Sequence, residues 1–193
     1  MVKSDFNERK DEIESLVGKV QEGDHDAFSV LYDIFINHIY RYVYYRVKSG
    51  DAEDLTETVF LKVWENINKY KPQKRSFSAW VFRIAHNLVV DYYRASKDRD
   101  FDELKIDIPD YKREHSPINN TEKSIDQDIL RQAIGKLKKA YREIVVYKFV
   151  NELTNSEISE ILNKSEGSVR ILQYRALKAL RRELDDMGAH YDV

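Results

Sequence analysis

The stretch LTNSEISEILNKSEGSVRILQYRALKALRREL, residues 153–184, leaves little freedom in how it folds. Thr154 followed by Glu157 has the spacing of a capping box, in which each residue satisfies a backbone N–H of the other, so a helix starts at Asn155. Ile158, Ile161 and Leu162 repeat along one face of that helix. Asn163 ends it, because asparagine tolerates the left-handed conformation that a helix C-terminus demands. Ser165 then caps a second helix at once. A turn this short sets the two helices at a steep angle, the arrangement that presents the second to a DNA major groove.

Within the second helix, Val169, Leu172, Ala176, Leu177 and Leu180 recur at core spacing, which leaves Arg170, Gln173, Tyr174, Arg175 and Lys178 for the outside or its margins. Arginine pairs with guanine edges and glutamine with adenine edges, whereas Lys178, Arg181 and Arg182 lie far enough along to favour phosphates. Ser168, with the first-turn amides, is placed to hold a phosphate, and Thr154 joins the expected DNA contacts at the start of the preceding helix. A helix pair with a solvated basic face would show the same pattern, so the hairpin by itself does not identify a function.

Apolar residues elsewhere also recur at helical rather than strand spacing, which predicts an all-α fold. One helix is expected over residues 24–47, with Phe28, Leu31, Phe35, Ile39 and Val43 on one face, broken by Ser49-Gly50. A second follows over residues 51–68 with a stripe of Leu55, Val59, Val63 and Ile67 and an acidic first turn. The basic loop KYKPQKRSFS comes next, then a helix over residues 78–96 burying Val81, Ile84, Ala85 and Leu88. Periodicity fails after Lys97 and returns at Ile129, Ala133 and Leu137. The expected organisation is an N-terminal extension (1–19), a helical domain (20–97), a flexible acidic linker (98–125), a small helix-turn-helix domain (126–185) and a tail (186–193).

The formal net charge of -2 conceals segregation. Residues 69–99 carry eight basic side chains against two acidic ones, residues 98–128 ten acidic against five basic, and residues 167–182 five basic and no acid. Two basic blocks flanking an acidic connector suggest two polyanion-binding surfaces on one chain. Chemistry of other kinds finds no foothold. The chain has no cysteine, and its five histidines are scattered without metal-ligand spacing, so neither a metal nor a cofactor is expected. No nucleophile–base pair or phosphate-cradling glycine loop appears, which argues against an enzyme. No signal-peptide or membrane-spanning run is evident, so a cytoplasmic protein without membrane insertion is expected.

Leu153-Thr154-Asn155-Ser156-Glu157-Ile158-Ser159 and Ser165-Glu166-Gly167-Ser168-Val169-Arg170 resemble region 4 of the extracytoplasmic-function sigma factors, the small two-domain branch of the bacterial sigma family. DAFSVLYDIFINHIYRYVYYRV is similar to the family's first conserved helix, DAEDLTETVFLKVWENINKY to its region 2.2, and SFSAWVFRIAHNLVVDYYR to the region after that. The likeness spans residues 24–184 in the family's order. There are departures. The usual turn glycine is Asn163, with Lys164 beside it, and an Arg-Leu pair common in the recognition helix is Leu172-Gln173.

The resemblance implies a promoter-specificity subunit whose partners are promoter DNA and core RNA polymerase, engaged through the clamp coiled coil of the largest subunit and through the flap. It places Asp54, Glu57, Thr58 and Leu61 on the clamp contact, with Trp64 assigned instead to core packing. Lys74, Arg75, Arg83, Asn87, Asp91 and Arg94 would open and read the −10 element, with the 69–77 loop as the pocket for a flipped base. Trp80, Tyr92 and Tyr93 are aromatics at helical spacing, which favours packing over stacking on bases. The hairpin would read the −35 element. An anti-sigma factor is a further expected partner, able to hold the chain at the inner face of the membrane, and the free chain is expected to be a monomer. A decoy that binds polymerase without starting transcription, or a repressor using the hairpin alone, are the rival readings.

Overall fold

The computed structural model describes residues 5–47, 49–95 and 121–188, and no strand occurs among them. The helices are α1 (Asp5–Glu8), α2 (Lys10–Gln21), α3 (His25–Tyr44), α4 (Ala52–Asn66), α5 (Phe77–Ala95), α6 (Thr121–Lys136), α7 (Lys139–Val145), α8 (Asn155–Leu162) and α9 (Glu166–Asp186). A 3-10 turn, Ile67–Lys69, extends α4, and a π-turn, Val146–Val150, extends α7.

The N-terminal unit is built on α3, α4 and α5. Asp24 caps α3 by accepting from the Ala27 amide at 3.0 Å, and Gly23, at φ 101°, makes the left-handed turn that enters it. Leu31, Phe35, Ile39 and Val43 from α3 meet Val59 and Val63 from α4 and Val81, Phe82, Ala85 and Val89 from α5 in a closed core. Leu55, Ile84 and Leu88 sit at its margin, half-buried.

The segment expected as an extension belongs to this core. Ile13, Val17 and Val20 of α2 are buried, and Phe6 of α1 stacks on Phe35 at 4.8 Å with its edge near Phe82. Their i, i+4, i+7 spacing marks a helix face, which the charged residues between them mask in the composition of the segment.

In the C-terminal unit, α6 begins at Thr121, inside the stretch that lacks apolar periodicity, because its first turns are polar. Residues 96–120, most of the expected acidic linker, lie outside the described residues. Ala133 and Ile134 of α6 and Leu137 just after it pack with Ile144 and Val145 of α7, Ile158 and Ile161 of α8, and Val169, Ala176, Leu180 and Leu184 of α9. The buried Arg142 donates to the carbonyls of Ile134, Gly135 and Leu137, satisfying the end of α6 that has no further turn to bond with.

The two units meet along a buried seam. Tyr42 of α3 and Tyr147 of the π-turn stack at 5.0 Å, and the Tyr147 hydroxyl donates to that of Tyr42 at 3.1 Å. Tyr147 also lies 3.1 Å from Nδ1 of His86 on α5. Beside them the Arg46 guanidinium pairs with Glu143 of α7 at 3.1 Å. Further along, Ser78 of α5 donates to Glu157 of α8 at 2.5 Å, and the Ser76 amide donates to Glu160 at 3.3 Å. Burial raises the pKa of Glu160, against the Ser76 hydrogen bond, and pushes the Tyr147 phenol far up.

Candidate nucleic-acid interface

Three surfaces carry the residues singled out from the sequence. The first is a cleft of about 300 Å³ between the loop after α4 and the first turns of α5, lined by Lys69, Tyr70, Lys71, Lys74, Arg75, Trp80, Arg83, Ile84 and Asn87. The loop has a definite shape. The Lys74 amide closes a turn on the Lys71 carbonyl at 3.1 Å, the Tyr70 hydroxyl donates to the Arg75 carbonyl at 3.0 Å, and Tyr70 packs against Trp80 and Phe77. From behind, Gln21 of α2 donates to the carbonyls of Ile67 and Tyr70. Burial, with Glu14 and Glu160 nearby, lifts the Tyr70 phenol to about 12, so it stays protonated and keeps donating.

The cleft brings Lys74, Arg75, Arg83 and Asn87 together. Asp91 and Arg94 continue the same face of α5 beyond it, exposed and paired with each other at 3.5 Å. Arg83 is half-buried and its Nη1 donates to the Glu160 carbonyl of α8 at 3.2 Å, so its guanidinium is engaged across the seam. Trp80 forms part of the wall. Tyr92 and Tyr93 are tied down by hydrogen bonds from their hydroxyls to Asp51 and to the Arg46 carbonyl, which makes them packing residues as their spacing suggests.

The second surface is the helix-turn-helix. Thr154 and Glu157 form both halves of the capping box, with the Glu157 amide donating to the Thr154 hydroxyl at 3.2 Å and the Thr154 amide to the Glu157 carboxylate at 2.8 Å. The Thr154 hydroxyl is therefore spent on the cap. Asn163 takes the left-handed conformation (φ 53°, ψ 49°) and the Ser165 side chain accepts from the Ser168 amide. Val169, Ala176 and Leu180 of α9 face inward, and Ser168, Arg170, Tyr174, Arg175 and Lys178 are exposed. Arg170 leans on Glu166 at 3.4 Å. Gln173 is half-buried, and its Nε2 donates to Asn155 Oδ1 of α8 at 2.7 Å, so it braces the two helices. Ile171 is exposed on this face; the sequence pattern placed it neither in the core stripe nor among the polar contacts, because only polar side chains were taken as candidates for the outer face.

The third surface is one face of α4. Asp54 and Glu57 are exposed, Thr58 is half-buried with its hydroxyl donating back to the Asp54 carbonyl at 2.8 Å, and Leu61 is 58% exposed. Trp64, assigned to the core from its residue type, is instead 39% exposed, packed edge-on to Phe28 and tilted on His25. The reason is angular: Val59, Val63 and Ile67 define the inner stripe, and Trp64 lies a quarter-turn away, on the side of Leu61. Together they form an apolar patch bordered by carboxylates.

The seam residues Arg46, Tyr42, His86, Glu143 and Tyr147 were also missed. They come from distant parts of the chain, and no local signal joins them. Among the described residues no group of acidic and histidine side chains could hold a metal ion, and no helix is long and apolar enough to cross a membrane.

Residues 31–99 match the Sigma-70 region 2 family and residues 127–180 the Sigma-70, region 4 family. Among curated proteins, the chain is 36% identical over 176 residues to the ECF RNA polymerase sigma factor BldN of Streptomyces coelicolor, covering 89% of this chain and 65% of that one. It is 31% identical over 184 residues to the ECF RNA polymerase sigma factor SigW of Bacillus subtilis, covering 91% of this chain and 98% of that one. The chain thus spans just under two thirds of the first relative and nearly all of the second. Two solved structures share its fold: CnrH in complex with the cytosolic domain of CnrY, with a TM-score of 0.68 at 22% identity over 89% of this chain and 96% of that one, and RpoE of Bartonella quintana in complex with the anti-sigma factor NepR, with a TM-score of 0.66 at 17% identity over 82% and 96%.

Proposed function

Because the chain belongs to the ECF RNA polymerase sigma factors, we propose that it binds core RNA polymerase and directs initiation at promoters by recognising −10 and −35 elements. The observation that carries this reading is that one chain combines a cationic cleft walled by an aromatic with a helix-turn-helix whose exposed face is basic. A repressor would need only the second. Lys74 and Arg75 hold the strand by its phosphates, while Asn87, and Arg83 once released from Glu160, meet the edge of a base held outside the stack; Asp91 and Arg94 extend the contact. On α9, Arg170, Tyr174 and Arg175 face the −35 bases and Lys178 and Ser168 serve phosphates, while Thr154 caps α8 and Gln173 braces the two helices against each other.

Asp54, Glu57, Thr58 and Leu61, joined by Trp64, form the face for the polymerase clamp, where carboxylates around an apolar centre complement a basic helical partner. The chain is no enzyme in this reading, since the catalytic centre belongs to polymerase. It acts in the cytoplasm, and an anti-sigma factor of the kind seen with RpoE is its expected regulator. The test is to add the purified chain to sigma-free core polymerase and map RNA starts on genomic DNA. Initiation at a defined set of promoters is the expected result. Polymerase binding without any start site would make it a decoy instead.

A further inference from the structure

The reading of α9 as the −35 helix leaves one residue on it unexplained. Val169, Ala176 and Leu180 fix the inner line of the helix, and at 100° per residue the outermost line runs through Gly167, Ile171, Tyr174 and Lys178. Ile171 therefore stands at the crest, 55% exposed, while its neighbour Leu172 packs against the core. A Cβ placed on Gly167, one turn earlier, would meet only Ser165 Oγ at 3.9 Å, so nothing in the protein fills the space before Ile171. An isoleucine side chain has no donor, acceptor or charge. All it can contribute to a partner is contact with another apolar group.

The surroundings limit what that group is. Arg170, Arg175 and Lys178 are exposed around it, and no acid occurs between Gly167 and Arg182, so the partner of this crest is a polyanion. On the floor of the DNA major groove the apolar feature is the C5-methyl group of thymine. We propose that Ile171 is a specificity-determining residue that reads a thymine in the −35 element through its C5-methyl group. The proposal rests on the promoter reading above, and sharpens it. Arg170 and Tyr174 carry hydrogen-bonding groups and serve other base edges or phosphates. Gln173, whose amide donor is committed to Asn155, takes no part in this contact.

The test uses the holoenzyme reconstituted from core polymerase and the full chain. Promoters are selected from a pool randomised in the −35 element, and each thymine of the winning sequence, on either strand, is replaced singly by deoxyuridine, which removes only the methyl group. At one position, or two adjacent ones, deoxyuridine is expected to weaken promoter binding about fourfold, the worth of one buried methyl group. Ile171→Ala should lose a comparable factor on thymine and show no further loss on deoxyuridine. Lys178→Ala should bind more weakly but keep the discrimination. The proposal is overturned if no thymine is selected, if no deoxyuridine substitution matters, or if Ile171→Ala discriminates as the parent does. It is equally overturned if Ile171→Ala loses affinity for core polymerase itself, which would assign the crest to a protein partner. A parent chain that starts no transcription would instead refute the promoter reading beneath it.

Discussion

Arg46 and Glu143 are the residues whose chemistry is most exposed to a single change. Arg46 is 3% exposed, and its Nη1 has no hydrogen-bond partner, so its charge depends on the one carboxylate at 3.1 Å. Burial opposes that charge, yet Tyr42 and Glu143 beside it hold the guanidinium pKa above its ordinary value. Glu143→Ala removes the counter-charge and should cost about 3–5 kcal/mol in chemical unfolding, the usual penalty for stranding a buried ion. His86 adds a pH term. Burial holds its imidazole below the ordinary 6.5, against the pull of Glu143, with Arg46, Lys139 and Arg83 adding to the depression. A base kept neutral on folding favours the folded chain least where the unfolded chain takes up the proton. Its contribution is therefore intact above pH 6.5 and lost as pH falls from there toward the lower folded-state value. Urea midpoints measured between pH 7.5 and 5.5 should decline, and His86→Gln should flatten that decline.

At the scale of the element, legibility followed locality. The two helices of the hairpin were readable because every signal lies within four residues of the bond it makes: Thr154 with Glu157, Ser165 with Ser168, Asn163 with its own backbone. Thr154→Ala should cost about 1 kcal/mol, measured as a lower midpoint in thermal unfolding, with promoter affinity falling as α8 frays. The cleft was half legible. Its basic loop announced Lys74 and Arg75, but the bracing of that loop by Gln21 spans 46 residues and no pattern in the chain connects them. Residue type misled at Trp64, where an apolar side chain was read as interior although the stripe on its own helix points elsewhere, and Ile171, outside the core stripe of its helix, was passed over. The α4 patch tests that lesson. Leu61→Ala should lower affinity for core polymerase by about 1–2 kcal/mol in a binding titration while leaving the unfolding midpoint in place, since the side chain is already in water.

For the whole molecule, the two expected domains pack against each other along α5, α8, α3 and the π-turn, a contact between distant segments that periodicity cannot register. In this arrangement Arg83 spends a donor on Glu160, and Ser76 and Ser78 hold the helix-turn-helix through Glu160 and Glu157. A bidentate contact of the whole Arg83 guanidinium with a base edge needs that donor back from Glu160, so binding polymerase and promoter is expected to part the units. The absence of native cysteine makes this directly measurable. Dyes on cysteines placed at Gln73 and Ser156, both exposed, should report a short separation in the free chain and a longer one when core polymerase is added. An unchanged separation would mean that the packed form is itself the one polymerase takes up.

The make-up of the seam bears on how such a parting would proceed. Its polar contacts run through a guanidinium, carboxylates, an imidazole, the Ser78 hydroxyl, the Ser76 amide and two phenols, each of which water can hydrogen-bond as soon as the faces separate. The ions strained by burial are relieved by wetting, so solvent entering the crack assists its opening. Each face then emerges with its polar groups hydrated around the bared rings of Tyr42 and Tyr147, whose hydroxyls water reaches as well.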